Sequence, residues 1–158
     1  TFMDALTKVK RYLEQNGVSY QVILHEEVYT AQELAQALHT PGRELVKVVI
    51  VKAGDAYWMA VLPASRKIDT QKLKVLLNAG AVNFATEQEM KALFAEAEIG
   101  AMPPFGNLYG LNVCVDTALT KDENITFNAG THYAAVRMKY RDFERLLRPC
   151  VGDFTVPL

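Results

Sequence analysis

Apolar positions along the chain recur with two periods, and the elements change where the period changes. Leu6, Val9 and Leu13 share one helical face, with Asp4 placed to cap that helix and Gly17 to stop it. Val18, Tyr20, Val22 and Leu24 then alternate, which predicts a strand over residues 18–24. Residues 25–29 form a polar connection. Thr30-Ala-Gln-Glu33 is a capping box that opens a short helix through about Leu38, and Thr40-Pro-Gly-Arg43 ends it. Residues 45–51 are the most β-like run. Both faces are apolar except at Lys47, so the strand is expected to be central and covered on both sides. Gly54-Asp55 makes a turn, and residues 56–62 return as the antiparallel partner.

Further along, residues 63–67 read as a polar loop. Asp69 caps a helix carrying Leu73, Leu76 and Leu77, which Gly80 closes. Residues 82–85 suggest a short strand. Thr86-Glu-Gln-Glu89 is a second capping box, followed by Met90, Leu93 and Phe94 on one helical face. Strands are expected over 111–116, 125–128 and 133–138, with a turn at 121–124 and an interruption at Ala129-Gly-Thr-His132. Asp142 is placed to cap a last helix bearing Phe143, Leu146 and Leu147. Helices and strands mix without regular βα alternation, so the expected class is α+β with a curled, largely antiparallel sheet.

The totals narrow the function classes. A chain of 158 residues is expected to be one domain over 1–158, long enough to bury a core without staples. No apolar run approaches the roughly 20 residues of a membrane span. Residues 1–4 lack the basic and apolar regions of a signal peptide, and Thr1 and Phe2 are expected to be either non-native or the tail of a longer start. Cys114 and Cys150 lie far apart without metal-ligand spacing, which fits two small core residues in a reducing, cytoplasmic setting. A net charge of −1 argues against a protein that coats nucleic acid by neutralising phosphates, while leaving room for contact with one RNA end.

Nucleotide-binding, hydrolase and zinc-protease motifs are absent. His25, His39 and His132 show no ligand spacing, so neither a metal site nor a cofactor is expected. Three features carry candidate chemistry. Lys47, in a central strand, must either reach solvent or be paired, because burying a lone ammonium is costly. The loop Ile99-Gly-Ala-Met-Pro-Pro-Phe-Gly106 is stiff at Pro103 and Pro104 and permissive at Gly100 and Gly106. It reads either as a rigid connector or as a wall offering main-chain groups to a ligand. Gly130 can break a strand so that Thr131 and His132 aim at a cavity, although a lone histidine is more often structural.

Val46-Lys47, Gly100-x-x-Pro-Pro-x-Gly106 and Asn128-Ala-Gly-Thr-His132 stand together in an order and spacing that resemble the YbaK / prolyl-tRNA-synthetase-associated editing domain family. Thr30 opening a helix and Arg141-Asp142 after the last strand also fit, so the resemblance runs roughly over residues 18–147. It implies a curled sheet wrapped by helices around a pocket for the terminal adenosine and its mischarged amino acid. It implies an aminoacyl-tRNA deacylase that cleaves the ester at the tRNA 3′ end in trans. Lys47 would hold the substrate's 3′ end, Gly100 would help position substrate and water, and Gly130 and His132 match the family's Gly-x-His element. Thr30, Ala101, Met102, Pro103, Phe105, Gly130 and Thr131 are the expected substrate contacts; Ala101, Met102, Pro103 and Phe105 offer size and shape without side-chain hydrogen bonds, so selection among small amino acids is expected to be mainly steric. The expected partners are the acceptor end of aminoacyl-tRNA and an aminoacyl-tRNA synthetase, without membrane or DNA. The alternatives are a catalytically silent tRNA-end or nucleotide-binding module and a synthetase-associated adaptor.

Overall fold

A computed structural model describes residues 3–158; Thr1 and Phe2 lie outside the described residues. The first helix, α1 (Ala5–Gln15), begins where Asp4 accepts the Thr7 N–H at 2.7 Å and buries Ala5, Val9 and Leu13. Its end is tighter than the alternation suggests. The Val18 N–H donates back to Leu13 O at 3.0 Å with Gly17 at φ +67°, so β1 starts at Tyr20 (Tyr20–Leu24). Thr30 and Glu33 close the capping box of α2 (Ala31–Leu38), and Thr86 and Glu89 do the same for α4 (Glu87–Leu93). Each box satisfies main-chain donors that the helix itself leaves unpaired. Between them, Asp69 caps α3 (Thr70–Leu76), which ends one turn before Gly80 because Asn78 takes the left-handed conformation at φ +51°.

β2 (Val46–Ala53) and β3 (Ala56–Pro63) form the expected antiparallel hairpin. They are the centre of a five-stranded sheet in the order β5-β2-β3-β6-β9, where β5 is Val82–Phe84, β6 is Asn112–Asp116 and β9 is Cys150–Gly152. β3–β6 and β6–β9 are parallel. A second sheet has the order β1-β8-β7, with β7 Asn124–Asn128 and β8 Ala134–Lys139, all antiparallel. The two sheets meet where Leu45 bridges Thr126 beside β2. The architecture is therefore a mixed, mostly antiparallel α+β fold, as the sequence predicts.

β2 is covered on both sides, because its alternate residues feed different clusters. Val46 and Ile50 pack with Val9, Leu13, Phe105, Phe127 and Phe143, whereas Val51 joins Leu62, Leu73, Cys114 and Phe154. Two expectations are corrected. Residues 63–67 are not simply a polar loop: Arg66–Ile68 is β4, paired with β10 (Thr155–Pro157). Asp142 is not the cap of α5 (Tyr140–Leu147). Lys139 holds that position without a side-chain bond, and Asp142 lies in the first turn, where a carboxylate favours the helix dipole. Among the described residues no helix is long and apolar enough to cross a membrane.

Candidate functional site

The edge of β2 that faces away from β3 is shared by two other strands. β7 meets it at Leu45, and β5 pairs with it only from Val51 to Ala53. The gap between them opens into a cavity of about 260 Å³ lined by residues 46–49, Val28, Tyr29, Thr30, Leu34, Gly100, Met102 and Asn128. A second cavity, of about 510 Å³, adjoins it along Ala31, Gln32, Gly42 and Ser65. Lys47 borders both.

The strand holds Lys47 half-buried, and its ammonium donates to Arg66 O on β4 at 2.8 Å. Burial lowers its pKa from the ordinary lysine value, and among the described residues no carboxylate pairs with it. A fixed cation whose hydrogen-bond partner is a neutral carbonyl retains the capacity to meet an anionic or polar ligand. Arg66 is itself braced from β10, its Nε donating to Thr155 Oγ1 at 2.6 Å.

Gly100 forms the opposite wall. Its φ of +89° excludes an unstrained side chain, and a Cβ there would stand 3.5 Å from His132 Nε2. Its N–H points at the Met102 thioether at 3.2 Å, a weak acceptor that a better one can displace. The loop is locked to residues 128–132. Glu98 N–H donates to Gly130 O, Gly130 N–H to Ala101 O, both at 2.8 Å, and His132 N–H to the Glu98 carboxylate at 2.7 Å. The same carboxylate oxygen lies 3.1 Å from His132 Nδ1. That bond assigns the proton to Nδ1 and leaves Nε2, on the Gly100 side, as an acceptor.

His132 is buried and does not itself line the cavity. Gly100 and Tyr29, whose ring lies 4.8 Å from the imidazole between centroids, stand between them. Thr30 and Met102 reach the cavity wall. Ala101, Pro103 and Phe105 do not line it and are buried. Past Met102 the chain turns inward, because an apolar ring gains more from the core than from a wet wall. Phe105 is fully buried, edge-on to Tyr12, Phe127 and Phe143. Gly130 faces α1: a Cβ there would meet Ala5 Cβ at 2.5 Å. Thr131 also stands off the lining, its Oγ1 buried without a partner.

Three residues at the site escape sequence reasoning. Glu98 lies 34 residues from His132, and no local pattern couples them. Tyr29 sits in a stretch that reads as polar connection, and Asn128, whose Oδ1 is buried without a partner, opens the Asn128-Ala-Gly-Thr-His132 element without being singled out as a contact. Among the described residues no group of three His, Cys, Asp or Glu side chains is arranged to hold a metal ion.

Comparison with known proteins adds to this geometry. The profile of a family described as the aminoacyl-tRNA editing domain matches residues 25–146. The chain is 37% identical over 89 residues to the proline–tRNA ligase of Fervidobacterium nodosum, covering 56% of this chain but 15% of that enzyme. It is 25% identical over 147 residues to the multifunctional Ser/Thr-tRNA deacylase ProXp-y of Escherichia coli K12, covering 90% of this chain and 87% of that protein. The crystal structure of a trans-editing enzyme proposed for prolyl tRNA synthetase superposes with a TM-score of 0.83 at 21% identity, covering 99% of each chain.

Proposed function

This chain belongs to the aminoacyl-tRNA editing domain family, and on that premise we propose that it hydrolyses mischarged aminoacyl-tRNA, releasing small amino acids from the tRNA 3′ end. The observation that carries the reading is the placement of the Lys47 ammonium and the Gly100 wall, whose positive φ only glycine takes freely, on one cavity, backed by the Glu98–His132 pair. The near-complete overlap with a free-standing deacylase supports action in trans. The partial match within a proline–tRNA ligase supports a synthetase as a partner.

An aminoacyl ester is already activated, so positioning and charge stabilisation carry most of the work. Water attacks the ester carbonyl, the bond from carbonyl carbon to ribose oxygen breaks, and the products are the free amino acid and the tRNA hydroxyl. His132 Nε2 accepts the proton of the attacking water, directly or through one further water past Gly100, and returns it to the ribose oxygen. Glu98 holds the imidazole in the required tautomer. Lys47 holds the developing negative charge or the adjacent phosphate, and the Gly100 N–H supplies a second donor once it leaves the thioether. Val28, Leu34 and Met102 offer the amino-acid side chain shape without hydrogen bonds, so selection is steric. Each methylene then discriminates by only about 1–3 kcal/mol.

One observation favours a second reading, a tRNA-end binding module without hydrolysis: His132 lies behind the cavity wall and not in it. Release of free amino acid separates the two. tRNAs mischarged with alanine, serine or threonine should be deacylated with graded rates. Tight binding without release would establish the silent module, and absolute selectivity for one amino acid would contradict a steric sieve.

A further inference from the structure

β7 presents alternate residues to different sides. Phe127 and Ala129 are buried in the large core cluster, so Thr126 and Asn128 project from the opposite face. Leu45 and Thr126 pair in the parallel sense, with the Thr126 N–H donating to Glu44 O at 2.9 Å. Two residues further along each strand the same face recurs, which brings Lys47 and Asn128 to one side of the cavity where β2 and β7 part. Both line it. The two groups differ in kind. Lys47 is a donor, held by Arg66 O. Asn128 carries an acceptor, Oδ1, that is buried without a partner among the described residues. A buried acceptor left unsatisfied is destabilising, and in a native fold it calls for a reason.

The other polar side chains on this cavity are committed within the protein. Thr30 Oγ1 accepts the Glu33 N–H at 3.1 Å and donates to the Glu33 carboxylate at 2.9 Å. The Tyr29 hydroxyl donates to Glu27. No Asp or Glu lines the cavity, so Asn128 Oδ1 is its uncommitted side-chain acceptor. An aminoacyl ester brings one group that only donates: the α-ammonium, one carbon from the reacting carbonyl, with three N–H bonds and no lone pair. The Lys47 cation repels that ammonium and attracts the carbonyl oxygen, on which negative charge develops. An ester whose carbonyl turns toward Lys47 on β2 presents its ammonium to Asn128 on β7. The carboxamide reaches it by turning about its last torsion, which has no narrow preferred value.

We propose that Asn128 accepts a hydrogen bond from the α-ammonium of the aminoacyl ester, and that this contact restricts the chain to esters with a free α-amine. The proposal rests on the deacylase reading and adds to it a substrate contact and a substrate class. An N-blocked ester has lost the charge and two of the three donors, and its acyl carbonyl sets a second acceptor against Asn128. Peptidyl-tRNA is of that kind, so the same contact keeps the enzyme off growing chains.

The test compares two esters on the same proline tRNA, alanyl and 2-methylpropanoyl. In the second a methyl group replaces the ammonium and the rest of the acyl group is unchanged. Single-turnover hydrolysis of each is divided by its spontaneous rate, which removes the difference in intrinsic reactivity. The wild-type chain should accelerate the alanyl ester at least about tenfold more than the other, the range of one charge-assisted hydrogen bond. N-acetylalanyl-tRNA should fall with the poorer ester. Asn128→Ala should slow the alanyl ester alone and so erase the preference. Asn128→Asp keeps acceptor oxygens and should keep the preference, whatever it does to the two rates together. A general loosening of the site slows both esters alike, so equal losses in Asn128→Ala would overturn the proposal. A wild-type chain without the preference, or one that hydrolyses N-acetylalanyl-tRNA as fast as alanyl-tRNA, would overturn it too. Should circular dichroism show that Asn128→Ala does not fold, Asn128→Asp decides, and loss of the preference there refutes the contact. Release of alanine by the wild-type chain reports separately on the hydrolytic reading. Hydrolysis of both esters alike refutes the Asn128 contact alone, and hydrolysis of neither refutes the deacylase and the contact with it.

Discussion

Removing the Lys47 side chain separates its charge from its place in the fold. Lys47→Ala deletes a half-buried ammonium without leaving an uncompensated charge behind, so the protein should keep its circular dichroism spectrum. Val46, Val48 and Val49 offer no replacement cation, and single-turnover deacylation should fall at least ~10²-fold. A folded variant with near-wild-type rates would remove the centre of the mechanism. His132→Ala should lower the rate by about 10²–10⁴-fold if Nε2 takes the proton of water. Glu98→Gln should lower it less, because the amide oxygen still accepts from Nδ1–H but no longer stabilises the imidazolium. If both variants match wild type at every pH, the pair is structural and Lys47 acts without a base.

At the scale of elements, the loop 98–101 and the turn 128–132 are positioned by α1 as well as by each other. Gly130 sits at φ +99° with no room for a Cβ, because Ala5 is already there. Gly130→Ala should therefore cost about 2–5 kcal/mol, combining backbone strain with overpacking. Ala5→Gly should restore only the steric part. Urea unfolding of the two single variants and the double variant measures the coupling. Additive losses would mean that α1 shifts freely and does not set the position of the His132 turn. The C-terminal strands bear on the site from the other side. β10 pairs with β4 and Thr155 holds Arg66, whose carbonyl holds Lys47.

For the whole molecule, the pH dependence of stability has an identifiable contributor in Asp122. Burial, and then the charge of Glu44, push its carboxyl up from the ordinary 3.8 to about 6, while Arg43 pulls it down. Its Oδ2 has no hydrogen-bond partner. The native state therefore keeps a proton that the unfolded chain has already released between those two values. The stabilisation this proton carries is complete below about pH 4 and is lost as pH rises through 6. Asp122→Asn should raise the melting temperature at pH 7.5. The difference should shrink through pH 6 and vanish below pH 4. A melting-temperature difference that stays constant with pH would show that ionisation of Asp122 is not the cause.

What the chain determined by itself was local. Asp4, Thr30, Asp69 and Thr86 announce their helices because a cap and the N–H that donates to it lie within three residues. The β2–β3 hairpin is legible for the same reason, as is the place of Lys47 in a strand covered on both faces. The family resemblance was legible too, since its motifs are short and ordered. The tertiary structure decided everything that depends on distant partners. β4, β9 and β10 are too short to show a period and exist only because they find one another or β6. Phe105 leaves the wall because three aromatic rings from α1, β7 and α5 wait for it in the core. The Glu98–His132 pair and the unpartnered Asn128 carboxamide oxygen arise from where loops and neighbouring strands end. A hydrogen-bond partner, or the lack of one, is a property of position in space, and short-range propensities along a chain do not encode it.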